Sequence, residues 1–402
     1  MADTLKRLMT DETGQQIAQK LSEQNSLLGI LAKKEMNLQN TWDQIADIVN
    51  AGNAESIFSV GDLLSDKYIN VDNSNKEYEM PWHINDFRDF ELESGDTVHG
   101  MILQSQYTTL QAVQFTNVRA FLVCPDGLSA GTYHLDFAQN WGNNAKKGIT
   151  YQFTLTKDVP AGGRLAGFKY MPDSAPSSWK VYSYLEDAKT LAETVNVTEG
   201  SGGTNLGTLA YSSRTGNLNS MQETAYGRNR WSTSAIRQWL NSEKGKGEWW
   251  TPTDEFDIAP DQLATMSGFL CGLPEELKNK IKTVKVATFK NTVQEGGGIE
   301  YTYDKVFLPS LEEMYITKQN AGEGAYHKYW KIRAGATTPV SQYKENDRYK
   351  NYALENHTSA QYVRLRSAGS GIACGTWHID PSGRVHNGNA TNAYRALPLI
   401  VI

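Results

Sequence analysis

Residues 360–402 read AQYVRLRSAGSGIACGTWHIDPSGRVHNGNATNAYRALPLIVI, and the spacing of hydrophobic side chains in this stretch decides how it folds. Successive side chains of a β-strand point to opposite faces. Trp377 and Ile379 therefore share one face of a strand, and Thr376 and His378 share the other. The stretch predicts a C-terminal hairpin that is anchored in a core on one face and displays side chains on the other. The positions expected to form the core are Leu365, Trp377, Ile379, Val385, Leu397, Leu399 and Ile400.

A DPSG turn at residues 380–383 joins the two halves of this hairpin, since Pro fixes φ and Gly supplies a positive φ. After the turn, Val385 separates Arg384 from His386, so these two side chains point to the same side. The displayed face offers polar, small and aromatic groups, which suit reversible binding of a partner. The residues expected to form this ligand-binding surface are Gln361, Arg364, Ala368, Ser370, Ile372, Ala373, Gly375, Thr376, His378, Arg384, His386, Asn387, Asn389 and Tyr394.

Length and composition limit the classes of protein to which the chain can belong. The chain has 402 residues, enough for roughly two or three domains, and its net charge of −6 argues against a surface for nucleic acid or anionic membranes. No apolar run approaches the ~20 residues that span a bilayer, and the start MADTLKRLMTDETG has no apolar signal core. We therefore expect no membrane insertion and no ordinary secretion.

The three cysteines are widely spaced, as in a protein folded in a reducing cytosol.

Three regions follow one another along the chain and predict an α+β fold. Residues 1–52 carry hydrophobic side chains at mostly three- and four-residue spacing, which predicts helix. This segment either packs on its own domain or serves oligomerisation and attachment, and its small size favours the second role. Residues 56–205 hold short β-branched and aromatic runs between turn residues, which predicts a β-sandwich-like domain. Residues 211–402 mix short helices and strands and contain the candidate surface, within residues 360–395.

The third region carries a series of motifs in a fixed order. They are YGRNRWSTSAIRQWLNS at 226–242, GFLCGLPEELKNKIKTVKV at 268–286 and YTYDKVFLPSLEEMY at 301–315, followed by YVRLRS, WHIDPSGRVH and YRALPLIVI. Together these motifs resemble a domain of the C-type lectin superfold that is common in gut bacteria and their phages. The resemblance covers about residues 211–402. The chain resembles in particular the variable proteins of diversity-generating retroelements.

That resemblance implies a C-type lectin-like domain whose variable region, at about residues 360–395, is rewritten by adenine-directed mutagenesis. Many proteins of this family are receptor-binding proteins at phage tail tips. For this chain the resemblance implies a diversifiable surface that binds a host cell-surface protein or glycan, on a protein made in the bacterial cytoplasm and carried on the virion. The implied partners are other phage tail proteins and further copies of the chain. A trimer is favoured, because several copies raise a modest single-site affinity through avidity.

Two other classes of function remain open at this point. The first is a bacterial carbohydrate-binding adhesin of the same fold, which the missing signal segment disfavours. The second is an enzyme of the formylglycine-generating type, which shares the superfold and relies on active-site cysteines. Only Cys374 lies near the end of this chain, so the resemblance to that enzyme lacks its chemistry. We therefore expect a binding protein without catalytic residues and without a cofactor.

Several clusters of reactive side chains have simpler structural explanations. His378 and His386 flank Asp380, but a third convincing metal ligand is missing and Asp380 suits a turn, so no metal is expected. Cys374 lies near His378, yet a lone cysteine in a strand is usually inert. Paired carboxylates fit solvated helix faces, a glycine run fits a turn, and tryptophans usually fill cores. The residues concerned are Glu275, Glu276, Glu312, Glu313, Gly296, Gly297, Gly298, Trp82, Trp249 and Trp250.

Overall fold

A computed structural model of the chain describes residues 41–117, 121–124, 126–137, 147–161, 163–166, 180–184, 191–209, 227–253, 257, 259–292, 295–317, 319 and 321–402, together with Gln16, Gln19, Lys20 and Gln24. These residues contain many strands and a few short helices, which confirms a mixed α+β chain. Its helices are α1 (Trp42–Asn50), α2 (Ala54–Ile57), α3 (Ala235–Leu240), α4 (Glu275–Lys278) and α5 (Lys328–Ala334). Nowhere in the described part does a helix have the length and apolar character needed to cross a membrane.

The strands are short and are numbered in chain order. They are β1 (Leu63–Leu64), β2 (Lys67–Asn70), β3 (Lys76–Glu79), β4 (Trp82–Glu91), β5 (Thr97–Ser105), β6 (Val113–Gln114), β7 (Phe121–Cys124), β8 (Gly131–Phe137), β9 (Thr150–Leu155), β10 (Gly163–Ala166), β11 (Lys180–Tyr184), β12 (Leu191–Glu199), β13 (Thr204–Leu209), β14 (Val284–Phe289), β15 (Ile299–Asp304), β16 (Val363–Ala368), β17 (Gly375–Ile379), β18 (Val385–Asn389), β19 (Ala393–Tyr394) and β20 (Leu399–Val401).

Helix α1 closes the predicted helical segment and packs into a core. Thr41 caps it: the Thr41 side chain accepts from the backbone N–H of Gln44, and the Gln44 side chain accepts from the Thr41 N–H. Trp42, Ile45 and other apolar side chains of α1 are buried. The remainder of the predicted helix, residues 1–40, lies outside the described residues apart from four isolated positions. The attachment role of this segment stays a prediction.

One four-stranded sheet joins distant parts of the chain. The long hairpin of β4 and β5 forms its centre, β1 pairs with β4, and β20 pairs with β5 so that Val401 lies opposite Ile102. Side chains from α1, this sheet, α3 and residues 266–286 fill the first hydrophobic core. The last strand of the chain is therefore held by residues that precede it by about three hundred positions.

The described strands between β7 and β13 form a separate seven-stranded sheet in the order β13-β8-β9-β12-β11-β10-β7. The chain leaves for this sheet and returns from it at one place, because the Thr116 hydroxyl donates to the Arg228 carbonyl oxygen at 2.9 Å and accepts from the Arg228 N–H at 2.8 Å. Residues 118–226 are thus an insertion in the remaining fold. This arrangement differs from the expected division into 56–205 and 211–402, because β4 and β5 belong with β20.

The insertion makes a testable prediction. Replacing residues 118–226 by a three-glycine linker should leave a chain that unfolds cooperatively, with a Tm within about 5 °C of the full chain, because the linker spans two positions that already touch. Calorimetry and circular dichroism would measure this. Deleting residues 82–105 is the matched control and should abolish folding, since it removes the centre of the four-stranded sheet. Aggregation of both deletions alike would contradict the assignment of an insertion.

A second core lies beneath the sheet of β16, β17 and β18, and one buried arginine holds the segments around it. The guanidinium of Arg366 donates to the Ala287 carbonyl at 3.1 Å, the Leu308 carbonyl at 2.6 Å and the Glu323 carbonyl at 2.7 Å. It also binds both carboxylate oxygens of Glu313 at 2.5 and 2.7 Å. All five N–H groups of Arg366 are therefore used, and β14, β16 and the loop after residue 308 are tied together.

The carboxylates around this arginine correct one sequence expectation. Glu313 was expected on a solvated helix face, but it is 6 % exposed and paired with Arg366. Burial alone would raise the pKa of Glu313, yet the charge of Arg366 outweighs burial and lowers the pKa. Glu323 accepts from the Ser367 hydroxyl, and burial raises the pKa of its carboxyl to about 7. The spacing of residues in the sequence could not predict the burial of Glu313, because spacing does not show which segment packs over a polar side chain.

Removal of this arginine should cost much of the stability of the chain. Arg366→Met should lower the free energy of unfolding by about 3–5 kcal/mol, because the Glu313 carboxylate would be left buried without its partner. Lys67→Met is the control, since it removes an exposed ion pair with Glu77 and should cost under about 1 kcal/mol. Urea unfolding of both variants measures the difference. Equal losses in the two variants would show that Arg366 does not hold the fold together.

Candidate functional site

The C-terminal hairpin has two different faces, as the alternation of its residues predicts. In β17, Trp377 and Ile379 lie in the second core, where Trp377 is 1 % exposed. Arg364, His378 and His386 occupy neighbouring positions across β16, β17 and β18 and lie on the opposite face. Side chains directly opposite one another in antiparallel strands share a face.

This opposite face has a cover of aromatic rings. The Tyr394 ring lies with its centroid 4.6 Å from that of His378, and the Tyr362 ring stacks on Tyr394 at 5.1 Å with an interplanar angle of 13°. The rings of His378 and His386 have centroids 4.0 Å apart. We call the surface formed by Tyr362, Arg364, His378, His386 and Tyr394 the tyrosine–histidine face. It has an outer layer of tyrosine rings and His386 over an inner layer of Arg364 and His378.

The cover overturns part of the sequence expectation. Arg364, Thr376 and His378 were expected to face a partner, but each is at most 1 % exposed. Alternation places them correctly on the face away from Trp377. It does not reveal that Tyr394, which comes from a strand paired with β6, lies over them.

Three further candidates, Ala368, Ala373 and Gly375, are also buried, and they lie toward the far end of the hairpin. The amide nitrogen of Asn229 donates to three carbonyl oxygens in residues 369–375 at 2.7–3.1 Å. This side chain precedes the hairpin by more than one hundred positions, so spacing within the hairpin gave no sign of it. These three candidates are corrected to framework positions that support a fixed loop.

The remaining candidates are divided between the two faces. Asn387 and Asn389 lie opposite Trp377 and Gly375, and so share the face of the second core rather than the face of His378. Arg384 is exposed. Structure therefore does not gather the predicted residues into a single surface. Those that are partly exposed are Gln361, Ser370, Ile372, His386, Asn387, Asn389 and Tyr394.

Arg364 is a buried cation that makes no ion pair with any described carboxylate. One of its nitrogens donates to the Thr376 hydroxyl, and another donates to the carbonyl oxygens of Asn389 at 3.1 Å and Asn392 at 2.7 Å. Its guanidinium carbon lies 4.2 Å from the centroid of the Tyr394 ring. Burial lowers the pKa of Arg364 to about 9, so the group remains charged at neutral pH. The hydrogen bonds hold the turn that leads into Tyr394.

His378 lies next to this cation without a hydrogen bond. Neither Nδ1 nor Nε2 of its ring has a partner among the described residues, although the side chain is 1 % exposed. Burial is the largest cause that lowers the pKa of His378, to about 3, and the charge of Arg364 acts in the same direction. The imidazole is therefore neutral in the folded state. A buried polar group without a partner is unusual in native structures.

At the rim of the face, Asp380 organises the turn and His386. Its carboxylate accepts from the Ser382 hydroxyl at 2.6 Å and from Arg384 Nε at 3.1 Å. Burial alone would raise the pKa of Asp380, but these hydrogen bonds outweigh burial and lower the pKa. The same carboxylate lies 3.4 Å from Nε2 of His386, whose pKa burial lowers. Asp380 thus forms the turn, as its sequence position predicts, and also contacts the candidate face.

Two exposed residues of the face were absent from the sequence prediction. The side chain of Tyr362 is 44 % exposed, and Asn392 is exposed and donates to the Tyr394 hydroxyl at 3.1 Å. Alternation could have found Tyr362, because it lies two residues before Arg364 and therefore on the same face. Asn392 belongs to a turn, where alternation carries no signal.

The described residues bring together no group of three or more His, Cys, Asp or Glu side chains that could hold a metal ion. His378 and His386 pack ring against ring, and Cys374 is buried.

Comparison with known proteins gives one match. Residues 205–401 match the model of a domain of unknown function, DUF6273. No curated protein matches the chain. No solved structure matches it either. The match begins within β13 and includes the whole tyrosine–histidine face, but it excludes β4 and β5, which pair with the last strand.

The unpartnered histidine predicts a substitution that stabilises the chain. His378→Phe should raise the free energy of unfolding at pH 7.5 by about 1 kcal/mol, because it removes a buried imidazole that makes no hydrogen bond. Since the folded pKa of about 3 lies below the usual 6.5, the stability that depends on neutral His378 is fully present above pH 6.5 and is lost in acid. The advantage of His378→Phe should therefore grow by about 1.4 kcal/mol per pH unit below pH 6.5.

Urea unfolding at pH 7.5, 6.5 and 5.5 measures this difference. His386→Phe is the control, because His386 is partly exposed and should show a smaller dependence on pH. A difference between His378→Phe and wild type that stays constant from pH 7.5 to 5.5 would show that His378 is already charged or hydrated in the folded state.

Proposed function

We propose that the chain is a receptor-binding protein of a phage or prophage tail, present on the virion, that contacts a host cell-surface protein or glycan through the tyrosine–histidine face. The observation that carries this proposal is the stacked pair of Tyr362 and Tyr394, partly exposed at the surface above Arg364 and His378. Stacked rings offer a large contact area at little cost in rotamer entropy. No bond is made or broken in this function.

The C-type lectin-like fold of the C-terminal region belongs to the same proposal. Support comes from the pairing of β20 with β5, which ties the end of the chain into a sheet, and from long segments without regular structure that run beside the hairpin. A sheet that supplies the stability lets loops at its edge vary. The proposed variable region, about residues 360–395, includes framework positions such as Trp377 and display positions such as Tyr362.

Attachment to the tail is assigned in this proposal to the amino-terminal segment and to the inserted sheet, both of which lie outside the hairpin. Several copies of the chain, with a trimer favoured, would present several faces to one cell. Binding through several faces at once raises the apparent affinity by avidity without any new contact.

Binding to intact cells tests the proposal. Fluorescently labelled full-length chain is added to a panel of intact gut bacterial strains, and flow cytometry identifies strains that capture it. Tyr362→Ala should weaken capture by about five- to thirty-fold, as expected for an exposed aromatic contact worth about 1–2 kcal/mol. Tyr301→Ala is the matched control, since Tyr301 is 58 % exposed on β15, away from the face. Equal binding by the two variants would contradict the assignment of the face.

The genomic neighbourhood tests the retroelement part separately. A nearby reverse transcriptase gene, with a near-duplicate of the DNA for residues 360–395 that differs at adenines, is the expected result. Absence of both would reject diversification and leave receptor binding to be judged by cell capture alone.

A further inference from the structure

We propose that the tyrosine–histidine face is opened by acid: when His378 takes up a proton, the Tyr394 cover lifts from it and the face is lost as a binding surface. The opening is a property of the hairpin itself. Only the loss of binding rests on the proposed function.

The geometry that points to this acid-driven opening is a group of buried polar atoms that have no hydrogen-bond partner. Nε of Arg364 and both ring nitrogens of His378 make no hydrogen bond with the described residues, and these two side chains are neighbours across β16 and β17. Arg366, two residues along the same strand, uses all of its donors. The hairpin is thus firmly bonded in its framework and poorly bonded beneath its display face.

The groups that face His378 compensate an added proton only weakly. Arg364 of β16 is already charged, His386 of β18 is a second base, and the Tyr362 and Tyr394 rings cover it from outside. The carboxylate in this region, Asp380, is held by Ser382 and Arg384 and lies beyond His386. A charged His378 would stand beside a second cation in a buried site. It can be stabilised only by gaining solvent.

The Tyr394 cover is the part of the site that can move away from His378. Tyr394 belongs to the two-residue strand β19, which pairs with the two residues of β6, and the next residue, Arg395, is bonded to the backbone of Tyr362 and Arg364. The adjoining turn is held by the bond from Arg364 to the Asn392 carbonyl oxygen, and Asn392 itself is exposed. Ala390 is anchored more firmly, because its carbonyl oxygen accepts from the N–H of Phe115. Thr391 is anchored as well, because its carbonyl oxygen accepts from Nε2 of Gln114 at 3.0 Å. Opening therefore involves residues 392–394 and leaves the sheet below in place.

This arrangement separates His378 from the other buried histidines. His83 lies on β4 with Nδ1 bonded to the Gln104 carbonyl oxygen, and His327 precedes α5 with Nδ1 against the Asn85 amide. Both lie within the main body of the protein, where hydration requires extensive unfolding. Protonation of those two histidines destabilises the whole chain, whereas protonation of His378 needs only a local movement.

Hydrogen exchange of the full-length chain tests the opening without any ligand. Protection of the amides in residues 375–379 and 386–394 is measured from pH 7.5 to 4.5 and corrected for the intrinsic exchange rate. Because one proton is taken up on opening, protection should fall about ten-fold per pH unit below 6.5, or about one hundred-fold at pH 4.5. The amides of residues 101–103 in β5 serve as reporters of global unfolding. Their protection should remain higher than that of the hairpin throughout.

Variants of the two histidines identify which of them takes up the proton. His378→Phe should give protection in the hairpin that does not change with pH, and His378→Leu covers the case in which the larger ring fails to pack against Gly388. His386→Phe is the control and should keep most of the ten-fold slope, since His386 is nearer the solvent. Three results would each overturn the proposal. They are constant protection of the wild-type hairpin across the pH range, an unchanged dependence of protection on pH in both His378 variants, and loss of that dependence in His386→Phe alone.

Cell capture tests the consequence for binding. For each protein, capture by a positive bacterial strain is compared at pH 7.5 and pH 5.0 as a ratio. Capture of the wild type at pH 5.0, relative to capture at pH 7.5, should fall to the closed fraction that hydrogen exchange gives at pH 5.0, whereas capture of His378→Phe should be nearly equal at the two pH values. If exchange shows that the open form predominates while wild-type capture is the same at both pH values, the coupling to binding is overturned and the local opening stands. If no strain captures the protein at pH 7.5, the proposed function fails, whereas the exchange result still decides the opening.

Discussion

The buried guanidinium of Arg366 is the interaction on which the C-terminal half of the structure depends. It joins the carbonyl oxygens of three separate segments and the Glu313 carboxylate around one strand. An isolated charge in this position would be very costly, so the surrounding segments must keep their relative places for the charge to be solvated by the protein. Strand β16 is fixed by this requirement, and β17 and β18 follow from their pairing with it.

The same strand carries a second arginine under opposite conditions. Arg364 is equally buried, but it has no carboxylate partner among the described residues, and its neighbour His378 makes no hydrogen bond there either. Two arginines two residues apart therefore divide the strand into a satisfied framework and an unsatisfied underside of the display face. The Arg366 end of the strand carries the bonds that hold the framework, and the Arg364 end carries the contacts to which the proposed binding and proton response are assigned.

The path of the chain explains how such a face is presented. The main fold is assembled from residues 41–117 together with 227–402, with the inserted sheet leaving between them at Thr116 and Arg228. Because β20 is paired with β5, the end of the chain after the hairpin is anchored by a distant strand, in addition to the bonds that Arg366 and Asn229 make around the hairpin itself. Its outer residues can then serve recognition, and rings such as Tyr362 remain partly exposed without endangering the core.

Sequence alone determined the local alternation: Trp377 and Ile379 enter the core, and Thr376 and His378 point away from it, because the period of a strand is a property of neighbouring residues. Tertiary structure decided that the second side is covered by Tyr394, that Asn229 holds the loop at 369–375, and that Glu313 is buried. Each of these depends on a segment many positions away along the chain. A periodic pattern shows which way a side chain points, but what it meets there is set by the packing of distant segments.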